Sequence, residues 1–205
     1  SLTGLSDILR TSVNDQAQMA EYEKAMLKVL TAKKTSFASK QYLCKELSIM
    51  GTDASVRTLA KMLRKKETSD IARYALERIP GETVDAELVK ALKKSKGTSK
   101  IGVMNTIGNR GIVSAANGLK KALGDKNPAV AGAAASALGR IGTHETATIL
   151  GDALASAQGS LREDIVDAYL DNAVAFIKAD EKNNAQSIYQ LLFTEKESLP
   201  TRTAA

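Results

Sequence analysis

Apolar residues recur along this chain in columns that repeat about every thirty positions. Leu59 and Leu63, Leu88 and Leu92, Leu119 and Leu123, and Leu150 and Leu154 each stand four residues apart. That spacing places two side chains on one face of a helix. Ahead of each pair, Cys44, Tyr74, Met104 and Ala135 mark a second helix. Between the two stands a glycine, in turn Gly51, Gly81, Gly111 and Gly142, at spacings of 30, 30 and 31 residues. The first-helix residues fall seven positions before the glycine and the leucines eight and twelve after it, with a one-residue slip in the second repeat. Such self-similarity predicts stacked helical hairpins, each too thin to bury its own apolar face alone.

The punctuation agrees with the periodicity. Gly51-Thr52 and Gly142-Thr143 put a glycine at a helix C-terminus and a threonine where the next helix needs its N-cap. Pro80-Gly81 makes the same break in the second repeat, and Pro128 suits the first turn of the helix that follows Asn127. The repeat units are then 36–65, 66–97, 98–125 and 126–157. Residues 1–35 read as a degenerate helical pair, one helix carrying Leu5, Ile8, Leu9 and Val13, the other Met19, Tyr22, Met26, Val29 and Leu30. Residues 158–205 read as a divergent pair, opened by a capping box at Ser160–Glu163 and continued by a helix that Asp180 caps. The last residues, Leu199 to Ala205, read as the start of a further helix, so one continuous solenoid domain, a fragment of a longer protein, is expected.

Composition sharpens this picture. Aromatic residues make up only 4% and tryptophan is absent, so Ala and Leu fill the core, as in thin layers of closely packed helices. Three prolines in 205 residues leave helix as the main element. No apolar run approaches the ~20 residues of a membrane span. The longest candidate, Ala129 to Leu138, is a run of small side chains that lets neighbouring helices come close. Ser1-Leu2-Thr3-Gly4 lacks the basic and apolar regions of an export signal. A single cysteine, Cys44, excludes an internal disulfide framework. Charge is uneven: residues 1–142 hold 24 Lys/Arg against 13 Asp/Glu, and residues 143–205 hold 5 against 10. The basic part suits a polyanion or a solvated lysine-rich surface.

Three strings carry a family resemblance: Leu47-Ser48-Ile49-Met50-Gly51-Thr52-Asp53, Asp125-Lys126-Asn127-Pro128-Ala129-Val130, and Ala137-Leu138-Gly139-Arg140-Ile141-Gly142-Thr143-His144-Glu145. They are similar to the turn and the helix start of HEAT-like repeats of the short bacterial type, named after phycobilisome lyases. The resemblance covers residues 36–157 and implies an all-α fold, a right-handed α-α superhelix of the HEAT/armadillo kind, whose second helices (helix B of each hairpin) line the concave face. Ile107-Gly108-Asn109-Arg110-Gly111 departs from the pattern, and a distorted turn is expected there. Residues 160–193 are faintly similar to a tetratricopeptide hairpin.

Candidate chemistry is sparse. His144-Glu145 is a single His-Glu pair in a turn. Deoxyhypusine hydroxylases, which share HEAT-like repeats, look like arrays of such pairs around two irons, and one pair cannot complete that ligand set. Cys44 sits in a buried column, and the only histidine lies three repeats away. Glu163, Asp164, Asp167 and Asp171 form an acidic helix face. No catalytic set, metal-spaced cluster or phosphate loop is visible, so no cofactor is expected. A bilin-lyase role is implied by family name alone.

The basic residues carry more of the functional reading. Helix B of successive repeats holds Arg57, Lys61, Arg64 and Lys65, then Lys90, Lys93 and Lys94, then Lys120 and Lys121. They lie off the buried columns, and in the fourth repeat Gly151 and Asp152 end the series. The expectation is a non-enzymatic protein–protein interaction scaffold that binds a protein partner, with acidic patches, on the concave helix-B face. Nucleic-acid binding by phosphate contacts is one alternative. HEAT-like alkylpurine DNA glycosylases bind DNA on such a face, but they use aromatics, and here Tyr42 and Tyr74 read as core. An accessory array of a larger exported bacterial enzyme is the other alternative. Like the leaning to a periplasmic or exported location, it follows from resemblance only.

Overall fold

The structure is a computed structural model that describes residues 15–193. These residues form eleven α-helices and one short 3-10 turn, with no strand among them. In chain order the helices are α1 (Gln16–Thr31), α2 (Phe37–Met50), α3 (Asp53–Met62), α4 (Lys66–Arg78), α5 (Glu82–Lys94) and α6 (Gly97–Arg110). The 3-10 turn (Val113–Ala115) precedes α7 (Ala116–Leu123), α8 (Pro128–Ile141), α9 (His144–Leu154), α10 (Gly159–Lys178) and α11 (Lys182–Leu192). The expected helix around Leu5–Val13 and the expected start of a helix at Leu199 lie outside the described residues. The chain divides into two compact units, residues 1–91 and 92–205, and the division falls within α5.

In the first unit α2 packs against α4, α3 against α4, and α1 against both α2 and α3. Leu43, Cys44 and Leu47 of α2, Val56 and Leu59 of α3, and Ala72, Ala75 and Leu76 of α4 are buried. The turn between α2 and α3 is tied to α1 by a buried carboxylate. Glu23, 3% exposed, accepts hydrogen bonds from the Thr52 amide and the Thr52 hydroxyl, each 2.8 Å, and from the Ser55 hydroxyl. A carboxylate at the start of α3 satisfies the Thr52 amide, which the helix itself leaves unpaired, and sits favourably in the helix dipole. Thr52 is the N-cap, accepting from the Ala54 amide.

The ladder glycines are not equivalent. Gly111 and Gly142 close α6 and α8 with φ of 65° and 64°, the left-handed cap that glycine adopts without strain. Gly51 has φ −63°. There space is the constraint: an added Cβ would collide with the Leu47 carbonyl and lie 2.8 Å from Ile79 Cδ1.

The second repeat corrects one expectation and explains another. Tyr74, read as core, is 43% exposed, and the Arg78 guanidinium lies 3.9 Å from the centre of its ring. Helix α4 stops with Ile79 as its C-cap, two residues before Gly81, whereas α2, α6 and α8 run up to their glycines. Counted from the helix end, the residue equivalent to Cys44 is Ala72, which is fully buried. Likewise α5 starts one residue after Gly81, against two for α3 and α9, which is the slip that moves the buried leucines to Leu88 and Leu92.

In the second unit α8 packs between α6 and α10, α7 and α9 lie against α8, and α11 lies against α10. The small side chains of Ala129–Leu138 do what their size suggests. A Cβ on Gly108 would stand 2.9 Å from Ala137 Cα, and one on Gly139 2.8 Å from Ala168 Cα. Neighbouring helices therefore approach to backbone contact. The departure expected near Gly111 falls just after it: the 3-10 turn replaces the first turn of the next helix, and Leu119 and Leu123 of α7 remain buried.

Two capping expectations fail here. Helix α10 begins at Gly159, so Ser160 lies inside its first turn, and the N-cap Gln158 makes no side-chain cap. Asp180 has φ 61° and precedes the cap position, which Glu181 occupies without capping. A reciprocal capping box does form at Thr143 and Thr146.

Candidate partner-binding surfaces

The buried leucine columns dictate which helix-B positions face solvent. In the first unit Leu59 and Leu63 are buried, and Arg57 and Lys61 of α3 are exposed on the other side. Arg64 and Lys65 were expected on the same helix, but α3 ends at Met62. They lie in the turn that follows, where Lys65 becomes the N-cap of α4. Lys90 is exposed on α5 and donates to Glu87 Oε1 at 2.7 Å. In the second unit Lys93 and Lys94 occupy the last turn of α5, and Lys120 and Lys121 the last turn of α7, all four exposed. Lys120 Nζ lies 4.0 Å from Asp152 Oδ2.

Two of the expected residues share a cleft. Lys61 and Lys65 line a cavity of about 240 Å³ with Lys40, Thr31, Thr58, Thr68, Leu30 and Met62. The end of α1, the first turn of α2, the second half of α3 and the start of α4 enclose it. Arg57, Arg64 and Lys90 do not line it. Lys40 is the residue that helix-B reasoning missed: it belongs to a first helix, and only the packing of α2 against its neighbours brings it to Lys61. Larger clefts are apolar. One, of about 850 Å³, is lined by Met19, Leu27, Ile49 and Met50 among others. Another, of about 810 Å³, includes Ile177, Tyr189 and Phe193.

The residues weighed for chemistry are dispersed. Cys44 is 1% exposed, and burial pushes its thiol up to about 12, leaving it protonated at neutral pH. His144 does not pair with Glu145. Its Nε2 lies 2.7 Å from Glu181 Oε2, and its ring packs 4.9 Å from Phe176. Glu163, Asp164, Asp167 and Asp171 are exposed along α10. Among the described residues no group of three His, Cys, Asp or Glu side chains is placed to hold a metal ion. No described helix is long and apolar enough to cross a membrane.

A buried residue that links three helices of the second unit carries no sequence signal. Asn172 is fully buried on α10. Its Nδ2 donates to the carbonyls of Leu138, Gly139 and Ala168 at 3.3, 3.2 and 3.4 Å, and its Oδ1 accepts from the Thr146 hydroxyl at 3.2 Å. It thereby ties the end of α8 and the start of α9 to α10.

Helical hairpins whose first helices stack on one another define an α-solenoid. Residues 85–169 match the family model for HEAT repeats, and the all-helical fold of packed hairpins is consistent with a HEAT-like repeat protein. It is similar to a crystal structure of an engineered protein, at 19% identity and a TM-score of 0.52, over 89% of this chain and 94% of that one. At that identity the likeness concerns the fold alone. No curated protein matches the sequence. HEAT repeats generally act as scaffolds for protein–protein interaction.

Proposed function

We propose that this chain is a non-catalytic interaction scaffold whose exposed basic residues hold a protein partner. The observation that carries the reading is the division of helix B in the first three repeats into a buried leucine column and an exposed basic set. Arg57, Lys61 and Lys90, with Arg64 and Lys65 in the following turn, would serve in the first unit, and Lys93, Lys94, Lys120 and Lys121 in the second. Their charge favours an acidic surface on the partner and speeds its association.

Charge reversal in each unit tests this. Lys61→Glu with Lys90→Glu, and separately Lys120→Glu with Lys121→Glu, are compared with the unaltered protein in affinity capture from the source cell's extract. Loss of a specific protein with either double variant supports the reading. Capture unchanged by both removes these residues from the binding surface. Labelled DNA and RNA, titrated at about 50 and 200 mM salt, address the alternative. Phosphate-driven binding falls steeply across that range, and micromolar binding that does so would favour nucleic acid over protein.

A further inference from the structure

The cleft around Lys40, Lys61 and Lys65 is lined by three lysines and no carboxylate. Residues 30–68, which span its wall, hold nine lysines and arginines against three carboxylates, Glu46, Asp53 and Glu67. Glu46 is buried, and Asp53 accepts a hydrogen bond from Thr83 at 3.2 Å. None of the three carboxylates lines the cleft. Among the described residues, none of its three ammonium groups has a carboxylate partner, and the Thr58 hydroxyl has no hydrogen-bond partner. The other two hydroxyls are committed. Thr31 Oγ1 donates to the Leu27 and Lys28 carbonyls at 2.9 and 3.2 Å, and Thr68 Oγ1 to the Met62 carbonyl at 2.9 Å. Both therefore spend their hydroxyl protons on carbonyls at the ends of α1 and α3. At the start of α4 no side chain caps the first amides, and the acidic residue of that turn, Glu67, does not line the cleft.

We infer that this cleft receives the phosphate of a phosphorylated serine or threonine on a protein partner. The inference rests on the scaffold reading above for the source of the phosphate. The chemistry of the cleft selects the group. A phosphomonoester near neutral pH carries about −1.5 to −2 charges and three strong acceptor oxygens, which three unpaired ammonium groups and one free hydroxyl match. Lysine binds phosphate as a point charge and tolerates variable geometry. A volume of about 240 Å³ lies below the ~300 Å³ at which pockets begin to hold whole small molecules. The cleft therefore takes a group and leaves the rest of its carrier outside. Leu30 and Met62 give an apolar wall for the carbon of the phosphorylated side chain. No aromatic side chain lines the cleft, so it lacks the stacking platform on which single-stranded nucleic acid relies.

The test uses the full chain and fluorescein-labelled degenerate peptide pools centred on phosphoserine or phosphothreonine, with the same pools unphosphorylated. Anisotropy should show about tenfold tighter binding of the phosphorylated pools, the scale expected for one to three new charge-assisted hydrogen bonds. Lys40→Gln, Lys61→Gln and Lys65→Gln together should abolish that preference, while Lys45→Gln, an exposed lysine outside the cleft, should leave it intact. Circular dichroism checks that each variant folds, and Thr58→Val alone should reduce the preference severalfold without removing a charge. Equal binding of both pools, or a preference that survives the triple variant, would overturn the inference. So would inorganic phosphate that binds the cleft equally tightly alone, which makes the free ion the ligand. Oligonucleotide binding stronger than phosphopeptide binding and lost in the same variant would assign the cleft to nucleic acid. If partner capture is sensitive to charge reversal but phosphopeptide preference is absent, only the cleft assignment fails. If the preference is present but no protein is captured, the scaffold reading fails.

Discussion

The two units tie a helical hairpin to a neighbouring helix with opposite chemistry. In the first, the buried Glu23 carboxylate gathers two donors from Thr52 in the turn between α2 and α3 and a third from Ser55 in the first turn of α3. In the second, the buried Asn172 amide spends its donors on carbonyls at the end of α8 and its acceptor on Thr146. One device satisfies the start of a helix with an anion, the other the end of a helix with a neutral donor. The contrast follows from helix polarity. Orphan amides at an N-terminus favour negative charge, and orphan carbonyls at a C-terminus reject it. The packing differs too: leucine-rich helices in the first unit, glycine and alanine in backbone contact in the second.

The sharpest way to break the comparison is to exchange the chemistry. Asn172→Asp would place a carboxylate among three carbonyl oxygens, and a loss of about 3–5 kcal/mol is expected for an unpaired buried charge. Denaturant unfolding measures it, and hydrogen exchange should place the loss at the α8–α9 turn. A near-neutral result would mean that the amide contributes little. Glu23→Gln keeps the shape but trades a carboxylate for a group with its own donors. A loss of about 1–3 kcal/mol is expected in the first unit, with early amide exchange at Thr52.

Gly139→Ala probes the packing difference, because its Cβ would meet Ala168 backbone atoms at 2.6 and 2.8 Å. Overpacking of this kind costs about 1–3 kcal/mol. Gly118→Ala is the milder control, since its Cβ would meet only the side chain of Leu92, at 3.0 Å. Equal effects at the two sites would show that backbone contact is not the constraint.

The smallest expected effect is a pH dependence. The Asn127 amide first, and then Lys100 at 3.1 Å, hold the Asp125 carboxyl below its usual range. A depressed carboxyl stabilises the fold above its unfolded pKa, and that contribution is lost as pH falls through the folded value. Lys100→Gln should raise the Asp125 pKa, and its stability difference from the unaltered protein should shrink on acidification. Carbon-13 NMR of the carboxyl reads the first, and unfolding curves across acid pH read the second. An unmoved titration would leave the Asn127 amide as the sole cause.

Much of the fold was legible because it is written locally. The thirty-residue ladder, the paired leucines, the Thr52 and Thr143 caps and the small-residue helix at Ala129–Leu138 depend on helix period, backbone φ and side-chain size, which neighbours in sequence determine. The readings that failed did so by small shifts. Counting from Gly81 in place of the true end of α4, two residues earlier, put Tyr74 in the core and left Ala72 unnoticed, because each residue turns a helix position by about 100°. The Ser160 and Asp180 caps failed by the same kind of offset.

The sequence by itself determined the class of fold, the buried leucine columns and the exposure of the helix-B lysines. Only the tertiary structure decided which residues meet across helices: Glu23 with Thr52, Asn172 with Thr146, and Lys40 with Lys61 and Lys65. Those partners stand 21 to 29 residues apart in the chain. Their meeting depends on which helices stack and in what register, and packing settles that through backbone approach at glycine and alanine, beyond the reach of any local pattern.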